Sequence, residues 1–408
     1  MKKQLTVSLF ILLFLIIGTI ILIFYGQGYR IGFNKGSPSL DATGILSAES
    51  IPKGAQVYVN DHLTATTNNS INLAPGQYTI KISKEGYNNW EKNVQIKVKE
   101  VSDTNALLFP KAPTLQGISA FGVSSPVIDP SGTKLAFRIA SQSAKKNGIY
   151  VLDMTAVAFP VLAGQSSSNQ IANDSEDLFS EADITWSPDG QQILASVPVG
   201  PTSKNYYLLK ADSMNETPQN VTATLASTHE AWKLQKTAKE DVLIKTLKSG
   251  MQSFAKTNFK IISWSPDETK ILYQASTSAT VPIVINPRRI GNNLLYEKRD
   301  IVKNAIYVYD VNEDVNKRII DSTTDFCVDL PTTCESPFTW FPDSSHLIYV
   351  HNKKIEIVED DGANTTTIYA GPFVDSYVYP WPDGSKIVIL TNLGNNNIAP
   401  TLYTISLK

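Results

Sequence analysis

The sequence predicts a mainly β protein: an N-terminal apolar helix, a small antiparallel β-sandwich, then a β-propeller with five visible repeats, room for a sixth, and one helical insertion. Three observations lead there. Residues 44–110 contain short runs that alternate apolar and polar residues with period two, separated by turn residues. From residue 115 onward, a Pro-Asp turn followed by an apolar strand is written five times. The chain also carries 22 Gly and 22 Pro among abundant Thr, Ser, Val and Ile, a composition of strands and turns.

The totals narrow the function classes. A chain of 408 residues suits two or three domains. Its 36 basic and 38 acidic residues leave a net charge of −2, so no electrostatic case exists for a nucleic-acid partner. Two cysteines, Cys327 and Cys334, rule out a disulfide framework.

The N-terminus reads as a membrane anchor. Lys2 and Lys3 precede an apolar run from Leu5 to Tyr25, which as a helix at ~1.5 Å per residue spans about 31 Å, close to a ~30 Å hydrocarbon core. A cleaved signal peptide, with its shorter apolar region and small-residue cleavage step, is the alternative. The lysines place residues 1–4 in the cytoplasm, 5–25 across the cell membrane as a single-pass signal anchor, and the rest outside. Residues 26–43, rich in Gly and Ser, read as a linker.

In 44–110, "AQVYVN", "QYTIKIS" and "NVQIKVKE" alternate, punctuated by "PKG", "ND" and "APG"; four or five short strands form a small antiparallel sandwich. "IPKGAQVYVND" (51–61) and "LAPGQYTIKISKEGY" (73–87) resemble the two signature stretches of the PEGA domain. The usual Gly-x-Thr-Pro after the first turn is replaced here by "LTATTNN". The resemblance implies cell-envelope association and no general ligand.

After "FPKAPT" (109–114), the repeats run to residue 408. They are "PVIDPSGTKLAF", "ITWSPDGQQIL", "IISWSPDETKIL", "FTWFPDSSHLI" and "YPWPDGSKIVI", with turn aspartates Asp129, Asp189, Asp267, Asp343 and Asp383 at spacings of 60, 78, 76 and 40. Uneven spacing implies loops of uneven length. In "SPDG", Pro188 presets the turn, Asp189 favours its third position and Gly190 takes the left-handed conformation at its fourth. Pro266, Pro342 and Pro382 repeat the device. Trp186, Trp264, Trp340 and Trp381 before the turns are expected on inner strands, packed between blades. The units are similar to the TolB-type (PD40, WD40-like) propeller repeat, with Pro and Asp transposed in "IDPSG". Folding alone accounts for these residues; the alternative is that some aspartates face a ligand.

The long insertion at 226–257 reads as helical. Ser227 and Glu230 form a capping-box pattern, and Leu243, Leu247, Met251 and Phe254 recur at helical spacing. It either packs on the propeller or binds a partner.

Catalytic candidates are sparse. His62, His229, His346 and His351 are scattered, with no zinc-protease motif, nucleophile elbow or phosphate-cradling loop. The expectation is therefore a non-enzyme, with no catalytic, cofactor-binding or metal-binding residue. "DVNEDVNKRIID" (310–321) places acids at calcium-loop positions but has Val315 where the Gly belongs and no Glu at the twelfth, so a hairpin turn competes with a calcium loop. Cys327 and Cys334 can close a small disulfide loop if the domain lies outside the cytoplasm.

The functional expectation is a membrane-anchored extracytoplasmic binding scaffold. The PEGA-like module contacts the envelope and the propeller contacts proteins. The alternative is a sugar- or peptide-sensing or enzymatic site in the propeller's central channel. The sequence leaves oligomeric state and partner identity open.

Overall fold

The computed structural model describes residues 2–26, 29–34, 37–155, 168–288, 293–321, 338–374 and 377–408, with side chains described for 8–23 and from 42 on. The chain divides into two units: Met1–Phe109 with Ile285–Glu297, and Pro110–Val284 with Lys298–Lys408. Among the described residues the protein is mainly β, built from many small sheets.

In the first unit, helix α1 spans Lys2–Gly26. Here the expected anchor and cell-membrane localisation must be corrected: among the described residues, no helix is long and apolar enough to cross a membrane. The linker is also more ordered than expected, because Tyr29–Asn34 and Ser37–Ala42 pair as an antiparallel hairpin.

Seven strands follow, where four or five were expected. Asn69–Leu73, Gly44–Ile51 and Val101–Leu107 make one sheet; His62–Thr66, Gln56–Val59, Gly76–Ser83 and Trp90–Ile96 make the other. The module is not wholly antiparallel: Gly44–Ile51 and Val101–Leu107 run parallel, Ile45 facing Val101. A parallel pair needs a long crossover, and the four-stranded sheet supplies it. Alternate residues Leu46, Val57, Ile80, Ile82, Trp90 and Ile96 point inward to a shared core. Asn60 and Asp61, at φ 46° and 63°, make the two-residue turn favoured between twisted strands.

The outermost strand Trp90–Ile96 is covered by a segment from far along the chain. Asn293 Nδ2 donates to the Asn93 carbonyl at 3.0 Å, and the Asn93 N–H donates to the Tyr296 hydroxyl at 3.2 Å. Lys92 Nζ lies 5.3 Å from the Tyr296 ring centre. This occupies backbone groups that an edge strand otherwise leaves open.

Among the described residues, the second unit contains five four-stranded antiparallel sheets. Sheet I is Ser124–Ile128, Lys134–Ile139, Gly148–Asp153 and Ser168–Asn173; sheet II is Asp183–Trp186, Gln192–Pro198, Lys204–Lys210 and Gln219–Asn220. Sheet III is Phe259–Trp264, Lys270–Ala275, Ile306–Asp310 and Val315–Ile320; sheet IV is Phe338–Trp340, His346–His351, Lys354–Glu359 and Thr366–Tyr369. Sheet V joins Val378–Pro380, Lys386–Thr391 and Thr401–Ser406 to Leu115–Gly117, the strand before sheet I.

The second strand of each sheet is covered on both faces, which is why "KILYQA" and "KIVILT" read as continuous apolar runs. One core joins sheets I and II through Ile149, Ile184 and Trp186. Another joins V and I through Tyr379, Leu390, Leu135 and Phe137, and a third joins III and IV through Leu272, Val308, Phe338 and Leu347. Each such aliphatic side chain contributes roughly 1.5–3 kcal/mol by leaving water.

The insertion is helical but not as capped as expected. Helix α2 is Leu225–Thr246 and α3 is Ser249–Asn258. The N-cap of α2 is Thr224, without a side-chain cap bond, so Ser227 and Glu230 form no capping box. A short helical turn at Thr222–Thr224 already leads into α2, moving its start ahead of Ser227. Ile244, Leu247, Met251 and Ala255 pack on the aromatic core of sheet III.

Candidate functional site

The Pro-Asp turns share one backbone plan. The N–H of Asp129, Ser187, Ser265, Phe341 and Trp381 each donates to the carbonyl five residues on, and each of those residues' carbonyls accepts from the N–H three residues on. The prolines follow at the second position, where φ is preset. The fourth position is left-handed in all five: Gly132 at 71°, Gly190 at 67°, Glu268 at 59°, Ser344 at 58° and Gly384 at 65°.

Side chains then tie each bend. Ser187 Oγ donates to Asp189 Oδ1 at 2.6 Å, and Ser265 repeats this with Asp267 at 2.6 Å. The Gln191 N–H donates to Asp189 at 3.0 Å and the Thr269 N–H to Asp267 at 3.1 Å. The hydrogen bond from Ser187 holds Asp189 below the usual carboxylate range; for Asp267 burial opposes, and the bonds from Ser265 and Thr269 win. Asp343 Oδ1 accepts from the Ser345 N–H at 2.8 Å, and Asp383 Oδ1 accepts from the Ser385 N–H at 2.8 Å.

Two placements differ from the sequence reading. Asp129 occupies the first turn position, where the others have Ser187, Ser265, Phe341 and Trp381, while Ser131 takes the aspartate position. The Ser–Asp pair survives the swap, since Ser131 Oγ donates to Asp129. Trp381 stands one place later than Trp186, Trp264 and Trp340; Lys386 Nζ sits 4.1 Å over its ring, and Tyr379 supplies the buried aromatic instead. Trp186 Nε1 donates to the Val127 carbonyl at 3.0 Å, tying sheet II to sheet I. Trp264 Nε1 and Trp340 Nε1 are buried without a hydrogen-bond partner.

Glu268 is a non-glycine residue in left-handed backbone, where a Cβ costs roughly 1–2 kcal/mol. Its side chain is exposed. Glu268→Gly is expected to raise the unfolding free energy by up to about 1 kcal/mol, net of the extra freedom glycine has when unfolded. Urea denaturation checks this, and a loss of stability sinks it.

The functionally distinctive geometry lies where the turn ends of sheets III and IV meet, and sequence reasoning missed it. Asp360 directly follows the third strand of sheet IV, and Lys270 and Lys317 reach it from sheet III at 2.5 and 3.1 Å. Lys270 Nζ also donates to the Ser344 carbonyl at 2.8 Å, and the Asp267 N–H donates to Ser344 Oγ at 3.1 Å. Burial opposes ionisation of Asp360, but the two ammonium groups keep it far below the ordinary carboxylate range. Burial pushes Asp310 up, and burial with the Asp310 charge pushes Glu313 up. Only "TKIL" and "EDDG" hinted at these groups, and neither shows that they converge.

His346 fills the position held by Lys134, Lys270 and Lys386 in other turns. Its ring is buried, and Nδ1 lies 2.7 Å from Asp343 Oδ2. His351, at the far end of the same strand, lies 3.8 Å from Glu356, while His62 and His229 sit on unrelated exposed elements. The four histidines are not brought together. Asp310–Val315 is a hairpin turn between paired strands. Its Asp314 is fully buried, ion-paired with Arg299 at 3.1 Å and accepting from the Tyr309 hydroxyl at 3.0 Å. Cys327 and Cys334 lie outside the described residues.

Residues 43–110 match the PEGA domain family. Among solved structures, a putative TolB from Agrobacterium tumefaciens is similar at 17% identity over 69% of this chain and 77% of its own, with a TM-score of 0.23. TolB from Acinetobacter baumannii matches at 13% identity over 81% of this chain, which spans only 60% of that one, with a TM-score of 0.23. A prolyl endopeptidase matches at 10% identity over 83% and 46% of the two chains, with a TM-score of 0.23. No curated protein matches.

Proposed function

We propose that this protein is a cell-envelope interaction scaffold. In this reading the PEGA module serves envelope contact, and sheets I to V form a five-bladed propeller that presents loops and helix α2 to a protein partner. The order of the sheets supports the ring: sheet V takes one strand from before sheet I, and cores join V to I, I to II and III to IV.

The exposure of α2 carries the reading. Of its residues only Leu243 and Ile244 are buried, while Leu225, Thr228 and Trp232 are half-buried on the inner side. Gln235 Nε2 adds one contact, at 3.3 Å to Asp189. Ala231, Leu234, Ala238 and Val242 share a different face and are all exposed, Leu234 at 62% and Val242 at 63%. A helix polar and solvated along most of its length gains little from burial, so its maintenance points to a use outside the core.

Photo-crosslinking from position 234 in intact cells tests this, followed by pulldown of the full chain. The expected result is a captured protein lost by tenfold or more in Leu234→Glu and retained in the control Lys354→Glu, with unchanged melting. Equal capture by both variants, or a small molecule co-purifying with no protein captured, overturns the reading.

A further inference from the structure

The charged junction of sheets III and IV has a property that a scaffold does not require. The ionic ties from Lys270 and Lys317 across it both end on Asp360, whose charge reaches His346. The imidazole faces Asp343 from its own turn, and Glu359 and Asp360 from the neighbouring hairpin of sheet IV, with Asp361 next along. From sheet III, Lys270 and Lys317 hold Asp360, and Asp310 and Glu313 lie within their field. The Phe341 ring stands edge-on to the buried imidazole, ring centres 6.3 Å apart. Five carboxylates, Asp310, Glu313, Asp343, Glu359 and Asp360, therefore share this region with two ammonium groups. Where three other turns place a permanent lysine cation, this one has the side chain whose charge changes near neutrality.

We propose that the junction of sheets III and IV is a proton-gated seam, locked when His346 is charged and loosened when it is neutral. The charged ring neutralises part of the carboxylate excess and holds Asp343 in the conformation that also accepts the His346 N–H at 3.1 Å. That fixes the turn bearing Ser344, whose carbonyl and hydroxyl are the acceptors for Lys270 and the Asp267 N–H. Neutralising the ring removes a positive charge from among those carboxylates and frees the turn.

The direction of the pH response follows. Burial works against the charged ring, but the bond to Asp343 and the charges of Asp343, Glu359 and Asp360 prevail, so His346 is held above its usual value. Its stabilisation is complete below about pH 6.5, the ordinary histidine value, and disappears as pH rises through the folded value. Asp310 and Glu313, both raised, act in the same sense, since protonating them relieves the excess of negative charge. Asp343 and Asp360 are depressed and stay ionised until much stronger acid. The seam thus tightens between mildly alkaline and mildly acidic conditions.

Hydrogen exchange of the Asp267 and His346 amides in the full chain, corrected for intrinsic exchange, reads the seam. From pH 8 to pH 6 their protection is expected to rise about tenfold for each unit by which the folded histidine value exceeds 6.5. In His346→Gln the dependence in this window should fall well below that of wild type, leaving only what Asp310 and Glu313 contribute. A flat wild type, or a variant that keeps the wild-type dependence, overturns the proposal. Should His346→Gln fail to fold, Asp343→Asn keeps the ring and must move the midpoint of the transition to lower pH; an unmoved midpoint overturns it. Direct NMR titration of the His346 imidazole must likewise give a value above 6.5.

Discussion

Asp360→Asn is expected to lower the unfolding free energy by about 3–5 kcal/mol, because two largely buried ammonium groups lose the carboxylate they share. The side chains of Lys270, Lys317 and Asp360 are only 14%, 16% and 9% exposed. Two charges that lose their common partner inside the protein retain their desolvation cost and lose the attraction that offset it. Guanidinium denaturation of the variant against wild type measures the difference; a change under about 1 kcal/mol refutes the account. A triple replacement, Lys270→Met with Lys317→Met and Asp360→Leu, should recover most of the loss, since apolar groups of similar volume often substitute for a buried ion cluster. The acid limb has the same origin. A carboxylate depressed in the folded state stabilises above its unfolded pKa, near 3.9, and loses that contribution as pH falls through the folded value. Wild type should therefore resist acid further than Asp360→Asn does.

Asp314→Ala is expected to cost a similar ~3–5 kcal/mol by a different route. Asp314 is 0% exposed and collects the Arg299 guanidinium, the Tyr309 hydroxyl at 3.0 Å and the Val284 N–H at 2.8 Å. Removing it leaves a guanidinium and two donors without that acceptor. The damage should spread along the aromatic stack, where Phe259 lies on Tyr273 and Tyr273 on Tyr307, with the Tyr273 hydroxyl bonded to Asn316. Near-UV circular dichroism, which reports on tyrosine packing, is expected to weaken along with stability. An unchanged tyrosine signal with lowered stability would separate Asp314 from the stack and refute the second half.

The turns and the PEGA stretches were legible because each depends on a few adjacent residues. A Pro at the second turn position, an Asp or Ser able to accept or donate locally, and an apolar run after it specify a hairpin wherever they occur. Even the swap at Asp129 and Ser131 preserved the local chemistry, which is why "IDPSG" was recognisable. What the sequence concealed was long-range. Ile45 meets Val101 in a parallel pair, and Lys270 meets Asp360, and no local pattern encodes either meeting. The visit of Asn293 and Tyr296 to the strand Trp90–Ile96 was hidden for the same reason, since uncharged loop residues carry no periodicity. The membrane-anchor reading rested on hydropathy over 5–25 and did not survive, because no described helix meets the length and apolarity of a span. The capping-box reading failed more modestly, through a helix that begins at Leu225.

Sheet V sets a timing constraint on synthesis. Leu115 pairs with Ile405, so one of its outer strands emerges from the ribosome about 290 residues before its neighbour. At ~5–20 residues per second that gap is on the order of 15–60 s, far longer than the ~1–10 μs a hairpin needs to form. Sheets I to IV can each zip from nearby chain as they appear, whereas Leu115–Gly117 waits as an unpaired edge until Thr401–Ser406 has emerged. Nascent chains stalled before residue 401 should therefore hold a nearly finished second unit with one exposed strand, the stage at which a chaperone or a neighbouring nascent chain would find something to grasp.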